Sequence, residues 1–230
     1  MREIEDFYDF ESTYYDKIYG IFSQDISFYK SMSATPPYLE IFAGTGRIIS
    51  KFNGGIGLEI NPNMLRKSVN SFIKVMGDAR TLPFKKYFNT VIIGLNSLLL
   101  VPNEQKKSIL SEARRVLNRN GFLFVDIING FTLRRGTYDI SKFNDGRTEI
   151  SLKMKARRLR DRYQLRYSYS IFDQTKRSVE KTITIYPITP EELREMLTSE
   201  NFEVDGTFGD YDLSPLELES EKLIVRAKAI

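Results

Sequence analysis

The chain has no cysteine, no histidine and no tryptophan among its 230 residues. Without cysteine there are no disulfides and no thiol nucleophiles. Without either cysteine or histidine, Cys/His zinc sites and Ser-His or Cys-His catalytic pairs are excluded as well. Long apolar runs are also missing. The longest, Val91 to Val101, is interrupted by Gly94, Asn96 and Ser97 and is too short to cross a bilayer. The first residues, Met1-Arg2-Glu3-Ile4-Glu5-Asp6, are acidic and do not read as a signal peptide, so a cytoplasmic protein with no membrane partner is expected. Neither charge sign dominates: 34 basic residues stand against 30 acidic ones, a net of +4. No Gly-Lys-Ser/Thr is present, which excludes a phosphate-cradling P-loop. No internal repeat or low-complexity tract is visible. At 41% apolar, the chain has enough material for one core of ordinary domain size.

What is present is an alternation of strand-like and helix-like segments, which argues for a mostly parallel sheet covered on both faces. Tyr38 to Phe42 is a short β-prone run that breaks at Gly44-Thr45-Gly46, ahead of the helix-period stretch Arg47 to Phe52. Two glycines let the backbone turn tightly and approach a ligand. A dinucleotide fingerprint needs a third small residue where this chain has the bulky Ile49, so a nucleoside ligand without a pyrophosphate fits better. The next apolar run, Ile56-Gly57-Leu58, ends in Glu59, a carboxylate placed to hold ribose hydroxyls. Asn61 caps a helix opening at Pro62. Val91 to Leu95 reads as a buried strand, and Gln105 to Leu117 as an amphipathic helix ended by Gly121. Phe122 to Ile128 is the next buried strand. Thr189-Pro190-Glu191-Glu192 is a capping box opening a helix to about Glu200.

These motifs, in this order, resemble the class I S-adenosylmethionine-dependent methyltransferases over most of the chain. Glu40 to Arg47 is similar to the family's first motif, Gly57 to Leu65 to the second, Gly77 to Phe84 to the third, and Phe88 to Ile93 with Asn96-Ser97 to the fourth. Arg115-Val116-Leu117 with Gly121-Phe122-Leu123 resembles the entry to the fifth strand. The chain departs from the pattern with Glu40 and Phe42 where Asp and Gly are usual, and with Asn89 where Asp is usual. The resemblance implies S-adenosylmethionine as cofactor and S-adenosylhomocysteine as product. Glu40, Ala43, Gly44, Thr45, Gly46 and Arg47 would meet the cofactor from the first motif, and Glu59, Ile60 and Met64 from the second. Asp78 and Ala79 would follow from the third, then Asn96 and Ser97. It also implies a Rossmann-like α/β fold with a seven-stranded, mostly parallel sheet, helices on both faces and the last strand antiparallel. No metal is implied.

Phe131 to Ile185 interrupts the alternation. It reads as three polar strands, near Thr148–Arg158, Tyr163–Phe172 and Val179–Tyr186, with a hairpin turn at Asp173-Gln174-Thr175-Lys176. The organisation expected is an N-terminal helical lid over residues 1–36, a methyltransferase core over 37–130 and 186–230, and a small antiparallel insertion over 131–185. That insertion would act as a substrate flap or a dimer contact. Tyr15, Asp210 and Tyr211 are candidate substrate contacts, whereas no catalytic base stands out. Lys153, Lys155, Arg157, Arg158, Arg160, Arg162 and Arg166 form a basic stripe, read as a solvated face, a dimer surface or a polyanion track. An anionic small substrate fits the basic residues better than nucleic acid does. The leading function is methyl transfer to the N or O of a small molecule. The alternatives are an RNA or protein methyltransferase that uses the stripe, and a non-catalytic S-adenosylmethionine binder. A monomer or a homodimer would serve.

Overall fold

The computed structural model describes residues 2–32 and 34–230. Three short helices come first: α1 (Arg2–Glu11), α2 (Tyr15–Tyr19) and α3 (Gln24–Ser31). The alternating region then supplies β1 (Tyr38–Ile41), β2 (Ile56–Glu59), α4 (Pro62–Lys67), β3 (Ile73–Met76), β4 (Phe88–Ile93), α5 (Asn103–Val116) and β5 (Leu117–Ile128). Four consecutive strands follow, β6 (Gly136–Asn144), β7 (Glu149–Arg158), β8 (Tyr163–Phe172) and β9 (Lys176–Ile185). The chain closes with α6 (Pro190–Ser199), β10 (Phe202–Phe208) and β11 (Lys222–Ala229).

The seven-stranded sheet runs β10-β11-β5-β4-β1-β2-β3, and only β11 is antiparallel to its neighbours. The polar segment between β10 and β11 holds no crossover helix, which is why β11 must return antiparallel. The central strands are buried on both sides: Leu39, Ile41, Val91, Ile92, Ile93, Leu123 and Val125 are sealed from solvent. Local sequence sets the helix starts. The Asn61 side chain accepts from the Asn63 and Met64 amides at 2.8 and 3.1 Å, and Thr189 with Glu192 completes a reciprocal capping box.

Three local expectations need correction. The insertion has four strands, not three, with β6 preceding the three expected. Its pairing with β7 shifts register between Asp139 and Ser141, and the resulting bulge breaks the apolar alternation through Tyr138, Ile140 and Phe143. Arg47 to Phe52 forms only a single 3-10 turn, Ile49–Lys51, followed by a turn at the left-handed Gly54 (φ 71°) that leads into β2. Gly121 does not cap α5. That helix ends at Val116, the left-handed residue is Asn120 (φ 66°), and a Cβ on Gly121 would sit 3.0 Å from the carbonyls of Asn118 and Asn89. The N-terminal helical segment comprises three helices, broken at Thr13-Tyr14 and Gly20-Ser23.

Alternation in the four-stranded sheet gives it two unlike faces. Leu152, Met154, Ala156, Tyr163, Leu165 and Tyr169 are buried, packed under α1 and α2 and against the main core. Lys153, Lys155, Arg157, Arg158, Arg160, Arg162 and Arg166 are all exposed. Lys155 stands directly opposite Arg166, a like-charge pair that contributes nothing to sheet stability.

Candidate functional site

The carboxyl ends of β1, β2, β3 and β4 converge on one cavity of about 530 Å³. Each strand delivers its motif to the rim: Phe42 and Gly44 after β1, Glu59 and Ile60 at β2, Gly77 to Arg80 after β3, and Leu95 and Ser97 after β4. This is the crevice that open α/β sheets offer to ligands. The remaining wall comes from outside the sheet. Glu3, Ile4, Glu5 and Tyr8 of α1, Tyr15 of α2, Gln105 and Ile109 of α5, and Thr184 and Tyr186 at the end of β9 close it.

Three non-glycine residues with positive φ cluster at this rim: Phe42 (63°), Leu95 (48°) and Asn96 (65°). Asn tolerates that region, but Phe and Leu are held there at a cost of about 1–3 kcal/mol each, a pattern typical of ligand sites. Position 42 is where related motifs carry glycine. Here a phenyl ring occupies the cavity wall instead.

Glu59 is positioned by backbone. Its Oε2 accepts from the Gly44 amide at 2.9 Å, and Oε1 accepts from Ile60 and Asn61 at 2.9 and 2.8 Å. Three donors on a carboxylate with about four acceptor sites leave Oε2 able to take one more, as a ribose hydroxyl would require. Burial pushes the Glu59 pKa up while these amides pull it down. Asp78 is clamped by Arg80, whose Nε lies 3.0 Å from both oxygens and whose Nη2 is 2.5 Å from Oδ2, holding its pKa below the usual carboxylate range. An adenine amino group could reach Asp78 only by displacing one Arg80 bond. Glu40 is 4% exposed, accepts from the Ile49 amide at 2.9 Å through Oε2, and is pushed by burial to a pKa of about 8. Its Oε1 accepts nothing from the described residues. The Glu59 and Asp78 acceptors at the cavity therefore fit the hydroxyls and amino group of a nucleoside.

Of the residues implied as cofactor contacts, Gly44, Glu59, Ile60, Met64, Asp78, Ala79 and Ser97 line the cavity together. Glu40, Ala43, Thr45, Gly46, Arg47 and Asn96 do not, and most have other work. Thr45 donates to Asp16 at 2.6 Å, and Arg47 pairs with Asp25 and donates to the Phe22 carbonyl at 2.8 Å, so the glycine turn is fastened to α2 and α3. A Cβ on Gly46 would overlap the Phe72 ring at 2.0 Å, so that glycine makes room for packing rather than for a ligand. Asn96 accepts from the Ile128 amide at 2.5 Å. Among the substrate candidates, Tyr15 lines the cavity. Tyr211 instead donates to Asp126 at 2.5 Å within the core, and Asp210 pairs with Lys222 at 3.3 Å.

Sequence reasoning missed Glu11. It is 2% exposed, its Oε1 accepts from Tyr169 at 2.9 Å and Tyr19 at 3.3 Å, and burial raises its pKa from 4.5 to about 7. The signal available was a lone Glu in the aromatic run Phe7 to Tyr19. Because its folded pKa is raised, the stability it contributes is complete below about pH 4 and is lost as pH rises to 7. We expect Glu11→Gln to flatten that part of the curve by on the order of 3 kcal/mol. Urea midpoints at pH 5 and pH 8 check this; an unchanged difference between the two would contradict it.

Comparison with known proteins agrees with this geometry. Residues 39–125 match a methyltransferase domain model. An uncharacterised protein of Methanocaldococcus jannaschii is 37% identical over 93 residues, which span 40% of this chain and under half (44%) of that relative. In fold, the chain is similar to an S-adenosylmethionine-dependent methyltransferase of Clostridium acetobutylicum, with TM-score 0.76 at 14% identity and 89% of each chain covered. It is also similar to an amino pentose methyltransferase of Micromonospora echinaspora solved with S-adenosylmethionine bound. There the TM-score is 0.71 at 15% identity, covering 90% of this chain and 88% of that one. Residues 39–125 thus carry a methyltransferase domain, and the whole chain shares the fold of the S-adenosylmethionine-dependent methyltransferases it resembles.

Proposed function

We propose that the protein transfers the methyl group of S-adenosylmethionine to a nitrogen or oxygen of a small molecule. The observation carrying this reading is the cavity. It joins the glycine turn, Glu59 and Asp78 to a wall built from α1 and the end of β9, and its 530 Å³ lies within the range of small-molecule sites. Glu59 would hold the ribose, Asp78 the adenine, and Gly44 would let the backbone approach. The cofactor supplies an electrophilic methyl on a sulfonium. The chain's part is to align the nucleophile with it and to exclude water, which the α1 roof and the apolar Leu58, Leu100 and Ile109 favour.

None of the seven stripe residues lines the cavity, which weighs against a polyanion substrate. Among the described residues, no helix is long and apolar enough to cross a membrane. A cytoplasmic monomer or homodimer accords with the reading.

The test is turnover. Incubation with S-adenosylmethionine and a panel of small amines and alcohols should release S-adenosylhomocysteine, and added heparin should not inhibit. Release only with RNA or protein acceptors, abolished by heparin, would favour the stripe and overturn the small-molecule reading.

A further inference from the structure

The charge of the cavity runs against the charge of the chain. In a protein of net +4, the acidic groups lining it are Glu3, Glu5, Glu59 and Asp78 against the single basic Arg80, and Arg80 is already clamped to Asp78. Glu3 and Glu5 make no ion pair with any described residue, although basic side chains are plentiful elsewhere on the surface. Four aromatic rings, Tyr8, Tyr15, Phe42 and Tyr186, line the same space. The phenol oxygens of Tyr8, Tyr15 and Tyr186 form no hydrogen bond within the described chain, and of the other ten tyrosines all but Tyr87 and Tyr167 do. Three free phenols facing a cavity are acceptors waiting for a donor.

Behind them stands Glu11. Its Oε1 takes the Tyr169 and Tyr19 hydroxyls, whereas Oε2 takes none. The one fully sealed side-chain atom without a partner among the described residues is Arg47 Nε, so Glu11 Oε2 is not sealed. Its charge reaches both Tyr8 and Tyr15. Aromatic faces, free acceptor oxygens and uncompensated carboxylates are what a desolvated organic cation requires.

We propose that the methyl acceptor is a cationic amine, docked against Tyr8 and Tyr15 with Glu11 behind and Glu3 and Glu5 at the entrance. This deepens the methyltransferase reading and rests on it. The reaction balances without a further reagent. The bound ammonium gives one proton to water, and the amine lone pair forms the new N–C bond. The C–S bonding pair returns to sulfur, leaving a neutral thioether and a methylated ammonium that is again a cation. Glu11 touches neither reacting atom and is a positioning residue. Because the basic stripe lies on the outer face of the second sheet, an anionic acceptor has no counter-charge inside the cavity beyond Arg80.

The test uses three probes of one shape: cyclohexylammonium, cyclohexanol and cyclohexanecarboxylate. Each is titrated by NMR into the full chain saturated with S-adenosylhomocysteine. The expected result is that the ammonium binds at least tenfold more tightly than either other probe. Glu3→Gln with Glu5→Gln, on the exposed surface where folding is not at risk, should weaken it several-fold and reduce its salt dependence. Glu11→Gln should weaken it further while leaving S-adenosylhomocysteine affinity within twofold. Equal binding of the three probes, preference for the carboxylate, or no binding of the ammonium would overturn the proposal. If S-adenosylhomocysteine itself fails to bind the wild type, the methyltransferase reading falls first; if it binds and the ammonium does not, only the acceptor charge is wrong.

Discussion

Glu59→Ala is expected to weaken S-adenosylmethionine binding by roughly 1–3 kcal/mol and to lower folding stability by a similar amount. Both losses have one origin. The carboxylate gathers the amides of Gly44, Ile60 and Asn61, so it ties the glycine turn of β1 to the start of α4. Removing it strips a ligand acceptor and leaves three backbone donors to find water in a site where Glu59 is only 8% exposed. Glu59→Gln keeps the volume but turns an amide NH2 toward one of those donors, so it should recover little. Calorimetry with S-adenosylhomocysteine and urea unfolding of the same samples measure the two effects. Unchanged affinity in a folded Glu59→Ala variant would remove Glu59 from the ligand site.

Asp25→Ala should give the largest loss of stability, about 3–5 kcal/mol, the usual cost of orphaning one partner of a buried ion pair. The Asp25 side chain is 0% exposed and that of Arg47 6%, so no water replaces the lost partner. Arg47 Nε already lacks an acceptor, which leaves the guanidinium with little reserve. The same pair fixes α3 to the residue that follows Gly46, so the variant should also bind S-adenosylhomocysteine more weakly. The double variant Asp25→Ala with Arg47→Met should be more stable than Asp25→Ala alone, because an apolar side chain carries no charge to orphan. A double variant no better than the single one would show that the pair does not act through buried charge.

Much of the fold was legible because its determinants are local. The Asn61 cap, the Thr189 capping box and the antiparallel β11 each follow from a few adjacent residues. The failures share a different character. Strand β6 was hidden by a bulge that only its pairing with β7 explains. Gly121 was read as a cap, although its lack of a Cβ makes room for the carbonyl of Asn118 and for that of Asn89 on the neighbouring strand. In the site, the strand-end carboxylate Glu59 and the Asp78 turn were readable because acid and turn residues adjoin. Thr45 and Arg47 were read as ligand contacts, and the structure places them as fasteners for α2 and α3; their partners Asp16 and Asp25 lie far upstream in a segment with no motif. Glu11 was invisible for the same reason. Its importance comes from Tyr169, 158 positions away.

The glycine turn, Glu59 and Asp78 are proposed to form one S-adenosylmethionine site within the cavity of about 530 Å³. A crystal structure with S-adenosylhomocysteine tests it most directly. The predicted result has both ribose hydroxyls within hydrogen-bond distance of Glu59, the adenine amino group at Asp78 with one Arg80 bond displaced, and the thioether sulfur facing Tyr8 and Tyr15. Ligand density outside this cavity, or a ribose with no contact to Glu59, would contradict it.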